Sequence, residues 1–534
     1  MKRATDVWAR LGRRSATRAR MILAVAVAAL LLFWTFPVTV HSADGDLDPG
    51  FADGGKLIAD LDRGSSIQAI MLQTDGKIVG AGYMETKKKG ADFAVGRLLA
   101  DGTPDPAFGD EGLTGLDFFQ GQDVAYALAI QPDGKIIAAG EANNPSTASS
   151  DFALARFNPD GSLDESFGDA GVVITDFAGR AEHVFALSLQ DDGKIVAAGF
   201  TDTVDGNDDF ALARYNANGT PDGTFGAGGK LHTDFLSGSR DVGYAMAIQP
   251  DGKILVAGLV SGNFGLARYN KDGSLDLTFG YYLDGMVNID FAAQYDLAYA
   301  LALMPGGKIL VGGYGYNQDG AQSDFALARF DSNGILDPSF GTDGRIMTDF
   351  LGGSDSACAV AVQPDGKIVA TGYATLGSGK DFALARYNDD GSPDDTFGIS
   401  GKSTTDFNGQ DDWAWGAALA PNGRIIAGGY AMNAEKASMA VACYTAFAVT
   451  PEITGAEVRG KKLYVYGKNF DMDAELLLNG EKQKKTGNDD LNPSSLLITK
   501  KAGKKIDRGE TVTLQVRNPD GRLSNEYSYT RPVE

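Results

Sequence analysis

Cysteine and histidine are the scarcest chemistry in this sequence: 534 residues contain only Cys358 and Cys443, and only His41, His183 and His232. Two cysteines in different repeats argue against a disulfide framework, so stability must come from packing. His41 belongs to the N-terminal segment, and neither His183 nor His232 has a singular Ser or Cys beside it. No G-x-S-x-G elbow occurs, so nothing supports nucleophilic catalysis. Gly401-Lys402-Ser403 lacks the first glycine of a phosphate loop and occupies an ordinary turn. Basic charge is sparse in the middle of the chain, where positions 44–448 hold 26 Lys and Arg against 56 Asp and Glu. Such a surface repels nucleic acid and anionic membranes and attracts cations and basic partners, although solubility alone would also explain it. Long apolar runs are missing but for one, at 21–40, preceded by Lys2, Arg3, Arg10, Arg13, Arg14, Arg18 and Arg20 and followed by His41-Ser42. That is the shape of a secretory signal peptide over 1–43, with the rest exported to the periplasm, the cell surface or the medium. Twenty apolar residues can also span a bilayer, so an uncleaved anchor is the alternative and the one route to a membrane.

What is abundant is glycine, 70 residues, alongside 43% hydrophobic residues, a balance that suits a β-rich fold with many tight turns. The turn Asp75-Gly76-Lys77 recurs at Asp133, Asp192, Asp251, Gly306, Asp365 and Asn422, spaced 58, 59, 59, 55, 59 and 57 residues apart. DFALARFNPDGSLDESFG at Asp151 returns nearly unchanged at Asp209 and Asp381. Each repeat reads as four short strands, for example AYALAI, KIIAAG, DFALARF and GVVITDF. Period-2 alternation would place Tyr126, Leu128 and Ile130 on one face and Ala127 and Ala129 on the other, and Asp133-Gly134 would turn the first strand into the second. Tiny residues facing bulky ones let sheets stack radially, so the predicted fold is an all-β, seven-bladed β-propeller over 45–448. The seventh repeat lacks its fourth strand, while LDPGFADGGKLIADL at 47–61 matches the fourth-strand phrase. Residues 56–61 are therefore expected to complete the last blade, closing the ring by strand exchange and removing an edge.

These phrases resemble the delta-60 repeat family of bacterial propeller-type repeats over about 400 residues. The resemblance implies a fold and no activity. It departs in the fifth repeat, with Gly306 for Asp, and in the seventh, with Ser438 and Cys443 for the Asp and Arg of the third strand. From Val449 the repeat vanishes, and strand-like runs at 461–467, 474–480, 495–500 and 511–519 suit a small antiparallel sandwich. PEITGAEVRGKKLYVYGKNF and TVTLQVRNPDGRLSNEYSYT resemble the IPT/TIG immunoglobulin-like family over 449–534, which implies a binding or spacer module. Its lysines, Lys482, Lys484, Lys485, Lys500, Lys501, Lys504 and Lys505, form either a polyanion grip or a solvated surface.

The foremost candidate site is acidic. Ten residues before each turn stand Ser65, Asp123, Glu182, Asp241, Asp296, Asp355 and Asp412. At the mouth of a propeller channel six carboxylates would raise one another's pKa unless cations or donors intervened. Oxygen ligands of this kind suit Ca²⁺ or Mg²⁺, so Asp123, Glu182, Asp241, Asp296, Asp355 and Asp412 are candidate metal ligands. In the other reading each acid caps its own turn or pairs with an Arg. The repeated Arg97, Arg156, Arg214, Arg268, Arg329 and Arg386, and the T-D-F aspartates Asp117, Asp176, Asp234, Asp290, Asp349 and Asp406, occur in nearly every repeat. A catalytic group is needed once, so these are read as a structural charge and hydrogen-bond ladder. The connections between strands two and three vary most and would emerge on the acidic face, where recognition belongs. Asp205, Asn207 and Asp209 have the spacing of a Ca²⁺ loop without its Gly and Glu.

The expectation is a secreted or cell-surface binding or adhesion scaffold, not an enzyme, monomeric and with no cofactor other than Ca²⁺. Its partner would be a protein or glycan contacted by the loop face, with no nucleic acid. The alternative is a Ca²⁺-dependent hydrolase or lyase with its site at the channel mouth.

Overall fold

The computed structural model describes residues 44–533 apart from 60, 62, 87–89, 146–148, 178–180, 204–205, 237, 292–294, 318–319, 321, 434–435, 447–450, 469, 471–473, 490–494 and 519–522. The expected signal segment and Asp205 lie outside the described residues. Among the described residues, every regular element is a strand except the 3-10 turns Pro305–Gly307 and Ala502–Lys504, and no helix is long and apolar enough to cross a membrane.

The strands form nine four-stranded sheets, seven of them in the repeats. The first sheet runs in order Ser65–Leu72, Ile78–Glu85, Ala91–Leu98 and Leu113–Leu116. The next six open with Asp123–Ile130, Glu182–Leu189, Asp241–Ile248, Leu297–Leu303, Ser356–Val362 and Asp412–Leu419. Such repeated antiparallel four-stranded sheets make a β-propeller. Asp-Gly turns drive the meander: Asp133 Oδ1 accepts the Lys135 N–H at 3.1 Å, while Gly134 takes a φ of +83° that a side chain would resist.

Each sheet buries its face against the next. Val79, Phe93 and Val95 share a core with Ala125, Leu128 and Ala138, and equivalent cores join each following pair. The seventh core joins the last sheet to the first, through Ile426, Met439 and Val441 against Ile67, Ile70 and Ile78. That closure uses the start of the described chain. Lys56–Ala59 pairs antiparallel with Lys436–Thr445, Lys56 opposite Ala442 and Ala59 opposite Met439.

A repeated arginine fastens sheet to sheet. Arg97 Nε donates to Asp105 at 2.7 Å, its guanidinium lies 4.7 Å from the Phe108 ring centre, and its second nitrogen donates to the Pro159 carbonyl of the next sheet at 2.6 Å. Arg156, Arg214, Arg268 and Arg329 repeat the arrangement with Asp164, Asp222, Asp276 and Asp337 and with carbonyls of Ala217, Lys271, Ser332 and Asp389. Arg386 pairs with Asp394 and reaches Asp44. The partners are thus the aspartates of the turn before strand four. The T-D-F aspartates, grouped with these arginines by repetition alone, stand elsewhere. In the seventh sheet Cys443 replaces the arginine, and Arg424 takes over, donating to Asp48 at 2.6 Å and to the Ala100 carbonyl of the first sheet at 2.9 Å.

Alternation fails at one place in every first strand. Register shifts occur at Gln68, Tyr126, Phe185, Tyr244, Tyr299, Cys358 and Trp415. The cause faces them on strand two: a Cβ on Gly140 would stand 1.9 Å from the Val124 carbonyl oxygen, and one on Gly199 only 1.7 Å from that of His183. Only glycine lets the strands approach so closely, and the extra residue bulges out of the ladder. Tyr126 therefore does not share the face of Leu128 and Ile130, which pack in the inter-sheet core.

After the propeller repeats, two further sheets share a core of Ile453, Leu463, Val465, Leu476, Leu497, Leu514 and Val516. One is built on Glu452–Arg459 and Lys462–Lys468, the other on Glu475–Leu478 and Thr511–Arg517. Because closure of the ring rests on the chain start, deleting residues 45–62 is expected to lower the melting temperature sharply. An unchanged unfolding transition, followed by circular dichroism, contradicts that dependence.

Candidate functional site

The bulged side chains meet around the axis that the first strands surround. Tyr126 and Phe185 have ring centres 5.0 Å apart, Phe185 and Tyr244 4.8 Å, Tyr244 and Tyr299 5.2 Å. Tyr299 then reaches Trp415 at 6.3 Å, past the small Cys358 of the intervening sheet. A second tier comes from the residue two before each bulge and its partner on strand two. His183 stacks on Phe200 at 4.8 Å, and Trp413 packs on Tyr373 at 4.0 Å and on Trp415 at 5.0 Å. All of these except Tyr373 and Cys358 are half-buried. Aromatic faces left partly open along one axis are a contact surface for sugar rings, apolar side chains or cations.

Two polar groups break the sevenfold pattern. Glu141 accepts the Tyr126 hydroxyl at 3.0 Å and stands 2.9 Å from His183 Nε2. Burial, then the Glu141 charge, pushes the Tyr126 phenol far above its ordinary value, so this hydroxyl keeps its proton and donates a hydrogen bond to Glu141. Across the axis the Lys380 ammonium lies 4.0 Å from the Trp413 ring centre and 4.3 Å from that of Tyr373, and burial lowers its pKa. A separate cleft of about 630 Å³ lies beside the first and second sheets, lined by Arg63, Tyr83, Glu85, Gln122 and Val124 among others.

The six expected metal ligands, Asp123, Glu182, Asp241, Asp296, Asp355 and Asp412, are all fully buried. Each accepts the backbone N–H of the T-D-F phenylalanine in the turn before it, at 2.7–2.9 Å. The second oxygen of Asp123, Asp296 and Asp355 takes an N–H from the end of strand two, Asn143, Tyr316 or Thr375. These acids bracket their own junctions. Among the described residues no cluster of ligand oxygens within 4.8 Å contains two of the six; each cluster is instead local to one junction. Four such triads occur: Asp92, Asp117 and Asp123; Asp151, Asp176 and Glu182; Asp324, Asp349 and Asp355; Asp381, Asp406 and Asp412. Each joins the start of strand three, the T-D-F aspartate and the residue that opens, or for Asp355 immediately precedes, the first strand of the next sheet. Asp241 and Asp296 lie in no such group, since His232 stands 2.9 Å from Asp209 at one junction and Asn263 replaces the aspartate at the other. At the closure Ser65 and Ser438 replace the acids, and Ser65 Oγ accepts the Met439 N–H at 3.2 Å.

Sequence reasoning named the bracketing acids and the T-D-F aspartates but did not join them, and it missed the aromatic tier. The signal for the latter was present: an aromatic residue three after the acid, opposite a glycine on strand two.

Six segments, 73–108, 131–167, 190–225, 249–279, 305–340 and 363–397, match the family model described as "Domain of unknown function (DUF5122) beta-propeller". Each ends on the phenylalanine beneath the repeated arginine, and together they support membership of a propeller repeat family. No curated protein matches the sequence. Similar solved structures include a fungal alcohol oxidase of the AA5 family in complex with copper, 12% identical over 76% of this chain and 96% of that one, with a TM-score of 0.32. The β-propeller domain of the Trilobed protease from Pyrococcus furiosus is 10% identical over 71% and 93%, TM-score 0.38. The polysaccharide lyase Uly1 is 10% identical over 78% and 94%, TM-score 0.39. Likenesses this distant bear on no activity.

The two carboxylate populations titrate in opposite senses. Burial above all, with nearby aspartates adding to it, lifts Asp412 to about 7 and Asp123 and Asp355 to about 6. Burial opposes ionisation of Asp222 too, but hydrogen bonds from Thr224 and the charge of Arg214 outweigh it and hold the group at about 2. A raised pKa costs stability above its folded value and the cost fades on acidification; a lowered one contributes stability that is lost as pH falls towards its folded value. In EDTA the melting temperature should therefore rise from pH 8 to pH 5 and drop steeply below about pH 4. A melting temperature that is flat or falls between pH 8 and pH 5 refutes this assignment.

Proposed function

We propose that the chain is an extracytoplasmic, non-enzymatic binding or adhesion scaffold, exported behind a signal peptide over 1–43. In this reading residues 45–448 are a seven-bladed propeller of delta-60-type repeats, closed by its N-terminal strand. Residues 449–534 are an IPT/TIG-like immunoglobulin sandwich that spaces or anchors it. The observation that carries the reading is the axial set of half-buried aromatics, Tyr126, Phe185, Tyr244, Tyr299 and Trp415, held open by bulges instead of being packed into the inter-sheet cores. Stacking on such rings is how a site grips a sugar face or an apolar peptide side chain, and the variable connections between strands two and three would supply selectivity around it. The ligand class we favour is a neutral or cationic glycan, because the acidic surface repels anions.

A second reading, a hydrolase or lyase, draws on the Tyr126, Glu141 and His183 cluster, whose spacing allows proton transfer. The raised Tyr126 pKa keeps its phenol protonated and makes it a weak acid, so it is poorly suited to either half of proton-transfer catalysis at neutral pH, which is why binding is preferred. A glycan array probed with the wild-type chain should show selective retention, weakened about tenfold or more in Tyr244→Ala and Trp415→Ala. Absence of retention, or equal retention by both variants, overturns the binding reading. Turnover of a retained glycan that Glu141→Gln abolishes establishes the second.

A further inference from the structure

The junction between the sixth and seventh sheets differs from those at Asp123, Asp296 and Asp355 in one atom. At Asp123, Asp296 and Asp355 the second carboxylate oxygen accepts the amide twenty residues on. The corresponding amide after Asp412 is that of Met432, which is held by the Asp411 carbonyl at 2.9 Å. Asp412 Oδ1 is therefore buried without a hydrogen-bond partner, on a side chain with 0% of its surface exposed. Buried polar atoms in native proteins are nearly always satisfied, so such an oxygen asks for a ligand.

Its surroundings narrow the ligand to a cation. Asp381, Asp406 and Asp412 offer oxygens within 4.8 Å of one another. Three carboxylates this close suit a hard divalent cation, and Ca²⁺ accepts irregular sets of protein oxygens where Mg²⁺ demands near-ideal octahedral geometry. The ligands come from three strand ends: the start of Gly379–Tyr387, the residue after Lys402–Thr405, and the start of Asp412–Leu419. Asp406 is exposed, which leaves an entry from solvent. The nearby ammonium groups are engaged elsewhere. Lys56 donates to the Asp406 backbone carbonyl at 3.1 Å, and Lys380 lies over Trp413 and Tyr373.

We propose that Asp381, Asp406 and Asp412 form a Ca²⁺ site that pins the sixth sheet to the seventh. At the triads of Asp123 and Asp355 both oxygens of these acids are hydrogen-bonded, so the inference does not extend to those two junctions. It stands independently of the ligand-binding reading, since the site lies at a sheet junction and is built from different residues.

Terbium, a Ca²⁺ mimic, provides the test, because Trp413 adjoins Asp412 and sensitises lanthanide emission at short range. Tryptophan-excited Tb³⁺ emission should appear with the wild-type chain, fall on adding Ca²⁺ but not on adding equal Mg²⁺, and weaken at least tenfold in Asp406→Asn and Asp381→Asn. Asp117→Asn, at a junction without tryptophan, should keep it. Ca²⁺ should also raise the melting temperature of the wild type and not of Asp406→Asn, with circular dichroism checking that each variant is folded. No sensitised emission, emission unchanged in Asp406→Asn, or equal loss in Asp117→Asn overturns the site.

Discussion

Everything distinctive about this protein depends on fastening the repeated four-stranded sheets of its propeller to one another without a disulfide across the seam. The fastening is the guanidinium that binds an aspartate of its own sheet, covers a phenylalanine and donates to a carbonyl of the next. Each such arginine is buried, and its aspartate also pairs with a lysine just before strand two, so the clamp is a three-membered charge cluster at each of these sheet junctions. At the seam residues 44–59 supply the missing parts. Asp44 takes the hand of Arg386, and Asp48 that of Arg424. The exchange of Arg for Cys443 and the gain of Arg424 are then one compensated change: the clamp moves to a neighbouring strand because its partner now arrives from the N-terminal segment. Serines replace the junction acids at the same seam, sparing the one non-covalent joint a carboxylate cluster.

The ring in turn defines the axis, and the axis gives the bulges their meaning. A glycine on strand two is crowded by a carbonyl on strand one, the ladder slips by a residue, and a bulky side chain is expelled towards the centre. With an aromatic residue at five of these bulges, this converts a local packing constraint into a shared aromatic lining. The sheet cores and the axial surface therefore come from the same strands, and neither can be redesigned without the other.

Much of this was legible in the sequence. Repeat spacing, Asp-Gly turns and the displaced fourth-strand phrase at 47–61 point to repeated four-stranded sheets and to the pairing of Lys56–Ala59. The site was less legible for physical reasons. Strict alternation assigned Tyr126 to the face of Leu128, because a bulge leaves no mark in hydrophobicity, only in the paired glycine. Asp105 and its equivalents looked like turn residues, and their partnership with Arg97 eight positions back appears only when both are buried together. The six bracketing acids were readable as a set, but whether carboxylates converge or each serve a local amide depends on backbone N–H directions that composition does not carry.

Hydrogen exchange followed by mass spectrometry tests the central claim most directly. If the chain start is an integral stave of the ring, peptides covering 56–59 should exchange with the same opening free energy and denaturant dependence as first-strand peptides such as 123–130 and 412–419. Rapid exchange of 56–59 while those strands stay protected would show a ring that holds without its N-terminal strand, and would contradict the account.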